Sequence, residues 1–326
     1  MINWGIIGLG SMGNVFANAI REVKNSKLVA VASKSNSKLE TFSNNFGIKS
    51  KNKFKVYEDL LNLQEIDAVY ISTLNNTHVD LILDSIRNKK KILCEKPIGL
   101  NLEQANLALK GIKNSNIPFY EAIAYRSHPQ TKHLLELIYN NVIGEIYKIE
   151  ASFGFKIKRI KKDSRLFNKD YGGGAILDLG CYPISFFNLF TSKENKISFI
   201  NAKGTNCSTG VDDDAIIKLK IGEKIDAIGT VSLRKNLKNE CKIYGKKGII
   251  TLPSPWLPSL KSYIEVEHSK SYYKKFTTSQ KSIYATQIES VANSFLNKKI
   301  SNANIVNIDE SIEIMKILDI WRTNIS

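Results

Sequence analysis

The chain has 326 residues, 43% of them hydrophobic and 24% charged, which is ordinary for a globular protein and suits two domains better than one. Its net charge of +16 is high, but the lysines are spread along the whole length beside Asn and Ile, so no nucleic-acid partner is expected and the field favours anionic ligands instead. No apolar run approaches a membrane span, no charged leader precedes the first strand, and the four cysteines (Cys94, Cys181, Cys207, Cys241) lack CxxC spacing, so membrane insertion, a zinc site and a disulfide framework are disfavoured and a reducing, cytoplasmic setting is expected.

The apolar run Trp4 to Ile7 reads as a buried parallel strand. It breaks into Gly8-x-Gly10-x-x-Gly13, and a helix is predicted from Ser11 and Met12 to about Lys24. In this pattern Gly8 permits a tight turn, Gly10 lets the backbone approach a pyrophosphate, and Gly13 lets helix and strand pack closely. The helix N-terminus offers N–H groups and a positive dipole end to the anion. A second strand, Lys27 to Ala32, ends in Ser33-Lys34-Ser35, with no acid before Glu40. Hydroxyls and a cation suit an adenosine 2′-phosphate, whereas NAD enzymes tend to place a carboxylate there, so NADP is preferred over NAD. Ser35 also reads as the cap of a helix over Asn36 to Phe46.

Alternation continues with a short strand at Val56-Tyr57, a helix over Glu58 to Leu63 and a buried strand over Ile66 to Ile71. That strand ends in Ser72-Thr73-Leu74-Asn75-Asn76-Thr77-His78, before a helix to about Asn88. Strand ends of this kind hold ligands in an open α/β sheet, which makes Thr73 and Asn75 cofactor candidates, with His78 behind them. Lys91 to Cys94 is a fifth strand ending in Glu95-Lys96-Pro97. A lysine at a strand's C-terminal edge, held by a proline turn, can point at a reacting hydroxyl or carbonyl and stabilise an alkoxide. Asn101 is predicted to cap a helix to Ser115, and Ile117 to Glu121 is a sixth strand, running into Ala124-Tyr125-Arg126-Ser127-His128-Pro129.

From Gly144 the pattern changes. Strands over Glu145–Phe155, Phe199–Cys207, Ala215–Ile221, Ile225–Leu233, Glu240–Tyr244 and Gly248–Leu252 mostly follow one another without helices, and two helices, about Ser282 to Asn297 and Asp309 to Thr323, close the chain. The predicted fold class is therefore an α/β, doubly wound parallel (Rossmann) domain over 1–122 and an α+β domain with a large, mostly antiparallel open sheet over 123–326. Within the second stands Gly172-Gly173-Gly174-Ala-Ile-Leu-Asp178-Leu-Gly-Cys-Tyr182-Pro183. On a helix, Asp178 and Tyr182 share one face.

The GxGxxG at this distance from strand-Cys-Glu-Lys-Pro, the Ser-Thr-Leu-Asn-Asn-Thr-His segment and the Gly-Gly-Gly-x-x-x-Asp-x-Gly-x-Tyr run together resemble the glucose–fructose oxidoreductase / inositol dehydrogenase / MocA family. The motifs lie between Gly5 and Pro183, and beyond them the resemblance is one of architecture. Leu74 stands where the family commonly has proline. Tyr182 stands where many members have histidine, as in the branch resembling dihydrodiol and xylose dehydrogenases and ketosugar reductases. The resemblance implies an oxidoreductase in which Glu95, Lys96 and Pro97 lie beside the nicotinamide, the Lys-Pro bond is often cis, and Tyr125 and Arg126 line the pocket. Substrate contacts then fall to Lys96, Tyr125, His128, Asp178 and Tyr182. Hydride transfer needs a group to take or supply the hydroxyl proton, and Tyr182 fits that role, with the Lys96 cation favouring its phenolate. Asp178 would bind a substrate hydroxyl or orient Lys96, and no metal is required. The expected substrate is a sugar, polyol, diol or nucleotide-linked ketosugar. A homodimer or homotetramer through the second sheet is also implied. Two other readings of the fold stay open: a glycosidase or lyase that retains NAD and oxidises transiently, and a non-catalytic nucleotide-binding regulator.

Overall fold

Six short strands form one parallel sheet: β1 (Ile2–Ile7), β2 (Ser26–Ala32), β3 (Lys53–Phe54), β4 (Ala68–Ile71), β5 (Lys91–Glu95) and β6 (Phe119–Ala122), in the order β3-β2-β1-β4-β5-β6. Residues such as Val31, Val69, Ile71, Ile92 and Leu93 are fully buried, as continuous apolar runs must be when helices cover both faces. The intervening helices are α1 (Ser11–Ala19), α2 (Asn36–Phe46), α3 (Tyr57–Asn62), α4 (His78–Arg87) and α5 (Leu102–Ser115). Strand order reverses between β1 and β4, so the loops leaving their C-terminal ends flank a crevice, the position where such sheets bind ligands. In this computed structural model residues 1–269, 271–298 and 304–325 are described.

The remaining helices are α6 (Pro129–Tyr139), α7 (Cys181–Phe187), α8 (Ile283–Phe295) and α9 (Ile308–Thr323). The chain divides into two compact units, and the division differs from one cut after residue 122. The first unit comprises Met1–Gly99, Glu103–Ser127 and Lys281–Ile312. Helix α8, expected in the second domain, belongs to the first. Its Ile288, Val291, Ala292 and Phe295 share a core with Ile2, Trp4 and Phe16. The Phe295 ring lies 5.7 Å from that of Trp4, and Asn293 accepts from the Asn25 amide at 2.8 Å. An amphipathic pattern announces that a helix packs, not what it packs on. Two smaller corrections are local. The third strand is at Lys53–Phe54 and not Val56-Tyr57, because Phe54 pairs with Ala32 while Val56 is exposed and Tyr57 already opens α3. Helix α1 ends at Ala19 and tightens into a 3₁₀ turn over Ile20–Glu22.

The second unit is built on eight strands: β7 (Ile146–Gly154), β8 (Ile197–Asn206), β9 (Asp212–Ile221), β10 (Ile225–Ser232), β11 (Cys241–Gly245), β12 (Gly248–Leu252), β13 (Lys261–His268) and β14 (Ser271–Thr278). Their order is β14-β13-β12-β11-β7-β10-β9-β8, antiparallel except for the β7–β10 pair. Strands β13 and β14 had no counterpart in the sequence reading; in β14, Ser271–Thr278, Phe276 is the one aliphatic or Phe residue among Ser, Tyr, Lys and Thr, so apolar alternation is weak. One face of the sheet (Ile149, Ala151, Ile217, Ala227, Val231, Ile243, Ile250) is buried, and Pro183 and Phe187 of α7 approach it where Gly229 leaves room. The other face carries charged cross-strand pairs such as Lys220–Asp226 and Lys274–Glu265. No described helix is long and apolar enough to cross a membrane, and the four cysteines are buried thiols.

Candidate active site

Two positions around the turn after β1, Gly8 and Gly13, admit only glycine. Gly8 has φ +97°, and a Cβ there would lie 2.8 Å from the Ser72 carbonyl. A Cβ at Gly13 would lie 2.6 Å from the Gly8 oxygen, so the start of α1 is pressed onto the turn. Gly10 differs: its missing Cβ would meet no atom within 4 Å. No side chain caps α1 at Gly10, and its first turn holds no acid. Open space above an uncapped helix N-terminus at Gly10, Ser11, Met12 and Gly13 fits the pyrophosphate of a dinucleotide. Ser72 closes the crevice from the other strand, its Oγ donating to the Gly8 carbonyl at 2.8 Å.

At the adenosine end Ser33 is buried, and its Oγ accepts the Ser35 N–H at 3.2 Å. Ser35 caps α2, accepting the Lys38 N–H. Lys34 is exposed, with its ammonium 5.4 Å from the centre of the Tyr57 ring. Glu40, the first acid after β2, pairs with Lys53 at 2.8 Å. The positive group at this strand end is therefore Lys34, while the Ser33 hydroxyl already serves the turn.

The loops after β4 and β5 are tied together by His78, the first residue of α4. The ring is fully buried, with Nδ1 2.8 Å from the Pro97 carbonyl and Nε2 3.3 Å from that of Thr73. Burial pushes the imidazole pKa down, and the contacts to the two carbonyls oppose that shift. His78 thus braces the loops that carry Thr73 and Lys96. Thr73 shares a 2.6 Å hydroxyl contact with Thr77, and Asn75 opens a 3₁₀ turn. Leu74, at φ −76° and ψ 149°, holds the conformation proline would impose.

The Lys96–Pro97 bond is cis. Behind it lie two buried carboxylates. Glu95 accepts the Tyr70 hydroxyl, and burial beside that acid holds the phenol well above its ordinary pKa. Glu121, on β6, accepts the Ile98 N–H at 3.0 Å and is pushed up to about 7 by burial, with Glu95 adding to the rise and Lys96 opposing it. The Lys96 loop therefore rests on a buried acid pair, of which sequence reasoning named Glu95 and missed Glu121, because an isolated Glu in a short strand carries no signal. Tyr125 and Arg126, expected to line the pocket, are 1% and 5% exposed, and Arg126 pairs with Glu310 at 2.9 Å.

In the second unit Gly174 has φ +116°, and a Cβ there would run into the Asp212 carboxylate. Asp212 accepts the Ile176 N–H at 2.6 Å, and burial pushes it up to about 6. Ile176–Gly180 is a π-turn leading into α7. Asp178 lies in the π-turn and Tyr182 in the α-helix, so the shared-face spacing of a regular helix does not hold. Asp178 is 5% exposed and accepts from Arg165 Nη1 at 2.7 Å. The Tyr182 ring is half-buried among aromatics, 5.0 Å from Phe153 and 5.8 Å from Trp256. Trp256 is fixed in turn by donating Nε1–H to the Ser152 carbonyl at 2.8 Å. Sequence reasoning missed Arg165, Phe153 and Trp256; the last sits in a Pro-rich turn, Pro253 to Pro258, that carried no expectation. His128 is 1% exposed and caps α6, its Nδ1 accepting the Gln130 N–H at 3.2 Å. Burial and His133 push its pKa down to about 4, which is the profile of a structural histidine.

A glycine turn built for a dinucleotide, on a parallel sheet whose strand ends carry a braced lysine, defines an oxidoreductase with an NAD-binding Rossmann fold. Residues 2–120 match the model of the oxidoreductase family with that fold, and residues 131–251 match the GFO/IDH/MocA C-terminal domain. The chain belongs to the GFO/IDH/MocA oxidoreductase family. It is 32% identical to the trans-1,2-dihydrobenzene-1,2-diol dehydrogenase of Xenopus tropicalis over 259 residues, 78% of this chain and 77% of that one. Among solved structures it resembles a 3-ketoreductase from Actinomadura kijaniata crystallised with NADP and TDP-benzene (TM-score 0.87, 22% identity, 99% of this chain and 98% of that one). It likewise resembles an aldose-aldose oxidoreductase from Caulobacter crescentus (TM-score 0.88, 18% identity, 99% and 97%).

Proposed function

We propose that the protein is an NADP-preferring dehydrogenase or reductase acting on a sugar, polyol, diol or ketosugar, with Tyr182 as acid/base and Lys96 as its cationic partner. The observation that carries this reading is the Lys96 loop, braced by His78 at Pro97 and by Glu121 at Ile98. So much buried scaffolding around one turn lysine suits a group that must hold its place during a reaction. Tyr182, set among Phe153 and Trp256, is similarly fixed. The nicotinamide, when bound, supplies or accepts the hydride. Tyr182 passes a proton to or from the substrate oxygen at its phenolic oxygen, and the Lys96 ammonium stabilises the alkoxide as it develops. Asp178, oriented by Arg165, accepts a hydrogen bond from a neighbouring substrate hydroxyl. Gly8, Gly10 and Gly13 with the amides of Ser11 and Met12 hold the pyrophosphate, Thr73 and Asn75 line the nicotinamide side, and Lys34 meets the 2′-phosphate. The relatives' own activities, a diol dehydrogenase and an NADP-bound ketoreductase, support the substrate class. The charged open face of the second unit's sheet is where a second copy would pair.

Fluorescence titration with NADPH and NADH tests the cofactor assignment, and Tyr182→Phe tests the chemistry. The variant is expected to bind NADPH with unchanged affinity and to turn over at least 100-fold more slowly, within the range general acid–base catalysis contributes (roughly 10²–10⁴-fold). Near-normal turnover in Tyr182→Phe would refute the role assigned to it.

A further inference from the structure

The segment joining β7 to the glycine run is the most basic stretch of the chain. Between Lys156 and Arg165 stand Lys156, Lys158, Arg159, Lys161, Lys162 and Arg165 against a single acid, Asp163. Several other cations of the second unit sit beside carboxylates: Lys148 with Glu150, Lys220 with Asp226, Arg234 with Asp213, Lys235 with Asp214, Lys238 with Glu240; what sets this loop apart is how many cations stand within ten residues. Among the described residues no carboxylate lies within ion-pair distance of the first five cations of this segment, and all five are exposed. Six cations against one acid in ten residues leave the loop with a net positive charge, and the Arg165–Asp178 pair offsets only the last of them.

The segment is anchored at both ends. At its start the Lys156 N–H donates to Asn236 Oδ1 and the Ile157 N–H to the Leu233 carbonyl, each at 2.9 Å. At its end Arg165 reaches Asp178, Phe167 is buried, and the Leu166 carbonyl accepts the Gly174 N–H at 2.9 Å. Both anchors lead to one place. Phe153, three residues before Lys156, packs edge-on against Tyr182, and Asp178 lies four residues before Tyr182. The cation cluster is thereby tethered at the Tyr182 end of the second unit.

We infer that this loop binds the phosphate of a phosphorylated substrate whose reacting carbon is presented to Tyr182. The inference rests on the role proposed for Tyr182. Lysine ammonium groups and the Arg159 fork are the donors that phosphate oxygens select, and a polyanion would supply the counter-charge the loop lacks. The same chemistry is offered by a nucleoside diphosphate-linked sugar and by a sugar phosphate monoester.

The test is calorimetric titration of the NADP⁺-saturated protein, at physiological salt, with thymidine 5′-diphosphate, glucose 6-phosphate, inorganic phosphate and glucose, in the natural protein and in Lys158→Glu/Arg159→Glu/Lys161→Glu. Saturable binding of a phosphorylated probe, weakened about tenfold or more in the triple variant, is the expected result, since losing even one charge-assisted contact costs about a factor of ten. Preference for thymidine 5′-diphosphate identifies the nucleotide-linked class, and preference for glucose 6-phosphate the monoester. No phosphate binding, equal binding by the variant, or, in a control titration with a random-sequence oligonucleotide, binding equal to that of the phosphorylated probes would overturn the inference. NADPH affinity, titrated in parallel, is expected to be the same in both proteins, so a failed cofactor assignment is separable from a failed loop assignment.

Discussion

Replacing Glu121 by Gln probes the buried acid beneath the Lys96 loop. The carboxyl is 2% exposed and its pKa stands at about 7 against an ordinary 4.5, with burial as the main cause. A carboxyl whose folded-state pKa is raised keeps its proton longer in the native protein than in the unfolded chain. Its stabilising contribution is therefore complete below pH 4.5 and is lost as pH rises to about 7. At about 1.4 kcal/mol per pH unit across that gap, the loss approaches about 3 kcal/mol. Glutamine is nearly isosteric, its carbonyl can still accept the Ile98 N–H, and it does not titrate. Urea unfolding of the natural protein and Glu121→Gln at pH 5 and pH 8 isolates the effect, because titrating groups not coupled to Glu121 cancel in the difference of differences. The variant is expected to gain roughly 2–3 kcal/mol on the natural protein between the two pH values. An unchanged difference, or a variant that loses ground at pH 8, would show that Glu121 is ionised in the fold and that the loop rests on a charge pair instead.

Gly174→Ala should destabilise the second unit by about 2–4 kcal/mol, through positive-φ strain and collision with Asp212, read as a lower urea midpoint. His78→Ala removes a fully buried ring and its contacts to the Pro97 and Thr73 carbonyls; a stability loss of about 2–4 kcal/mol is expected, with turnover falling more than NADPH affinity because the Lys96 loop is what relaxes. Lys34→Asp should shift the NADPH/NADH affinity ratio toward NADH by at least about tenfold, measured by fluorescence titration, while leaving NADH affinity within a few-fold.

How much the sequence disclosed depends on what each residue does. Gly8 and Gly13 were legible because close contacts leave only one residue type there, whereas Gly10, whose Cβ would meet no atom within 4 Å, was legible from the spacing of the motif. The parallel strands were legible because continuous burial demands continuous apolar runs. Partners remote in sequence were not. Tyr70 and Glu95 are 25 residues apart, Arg126 and Glu310 184 apart, and Trp256 reaches the Tyr182 ring only through the folding of the second sheet. The same limit explains His78 and His128. Either histidine, read as a letter, is a catalytic candidate; burial and carbonyl or amide partners make one a brace and the other a helix cap. The π-turn under Asp178 likewise leaves no trace in composition, since one extra residue per turn changes a hydrogen-bond register and not a residue type.

The placement of α8 has a consequence for how the protein is made. The face of Trp4, Phe16 and Tyr120 that opens the chain is covered by Phe295 and its neighbours near the end. A ribosome adding about 5–20 residues per second needs roughly 10–30 s to travel from the last strand of the first sheet to that helix. Throughout that interval the nascent nucleotide-binding half presents an aromatic surface with its natural cover not yet synthesised. The half is thus not a self-contained module: cut out at residue 127, it would carry a permanent sticky flank where Phe295 and its neighbours pack in the whole chain.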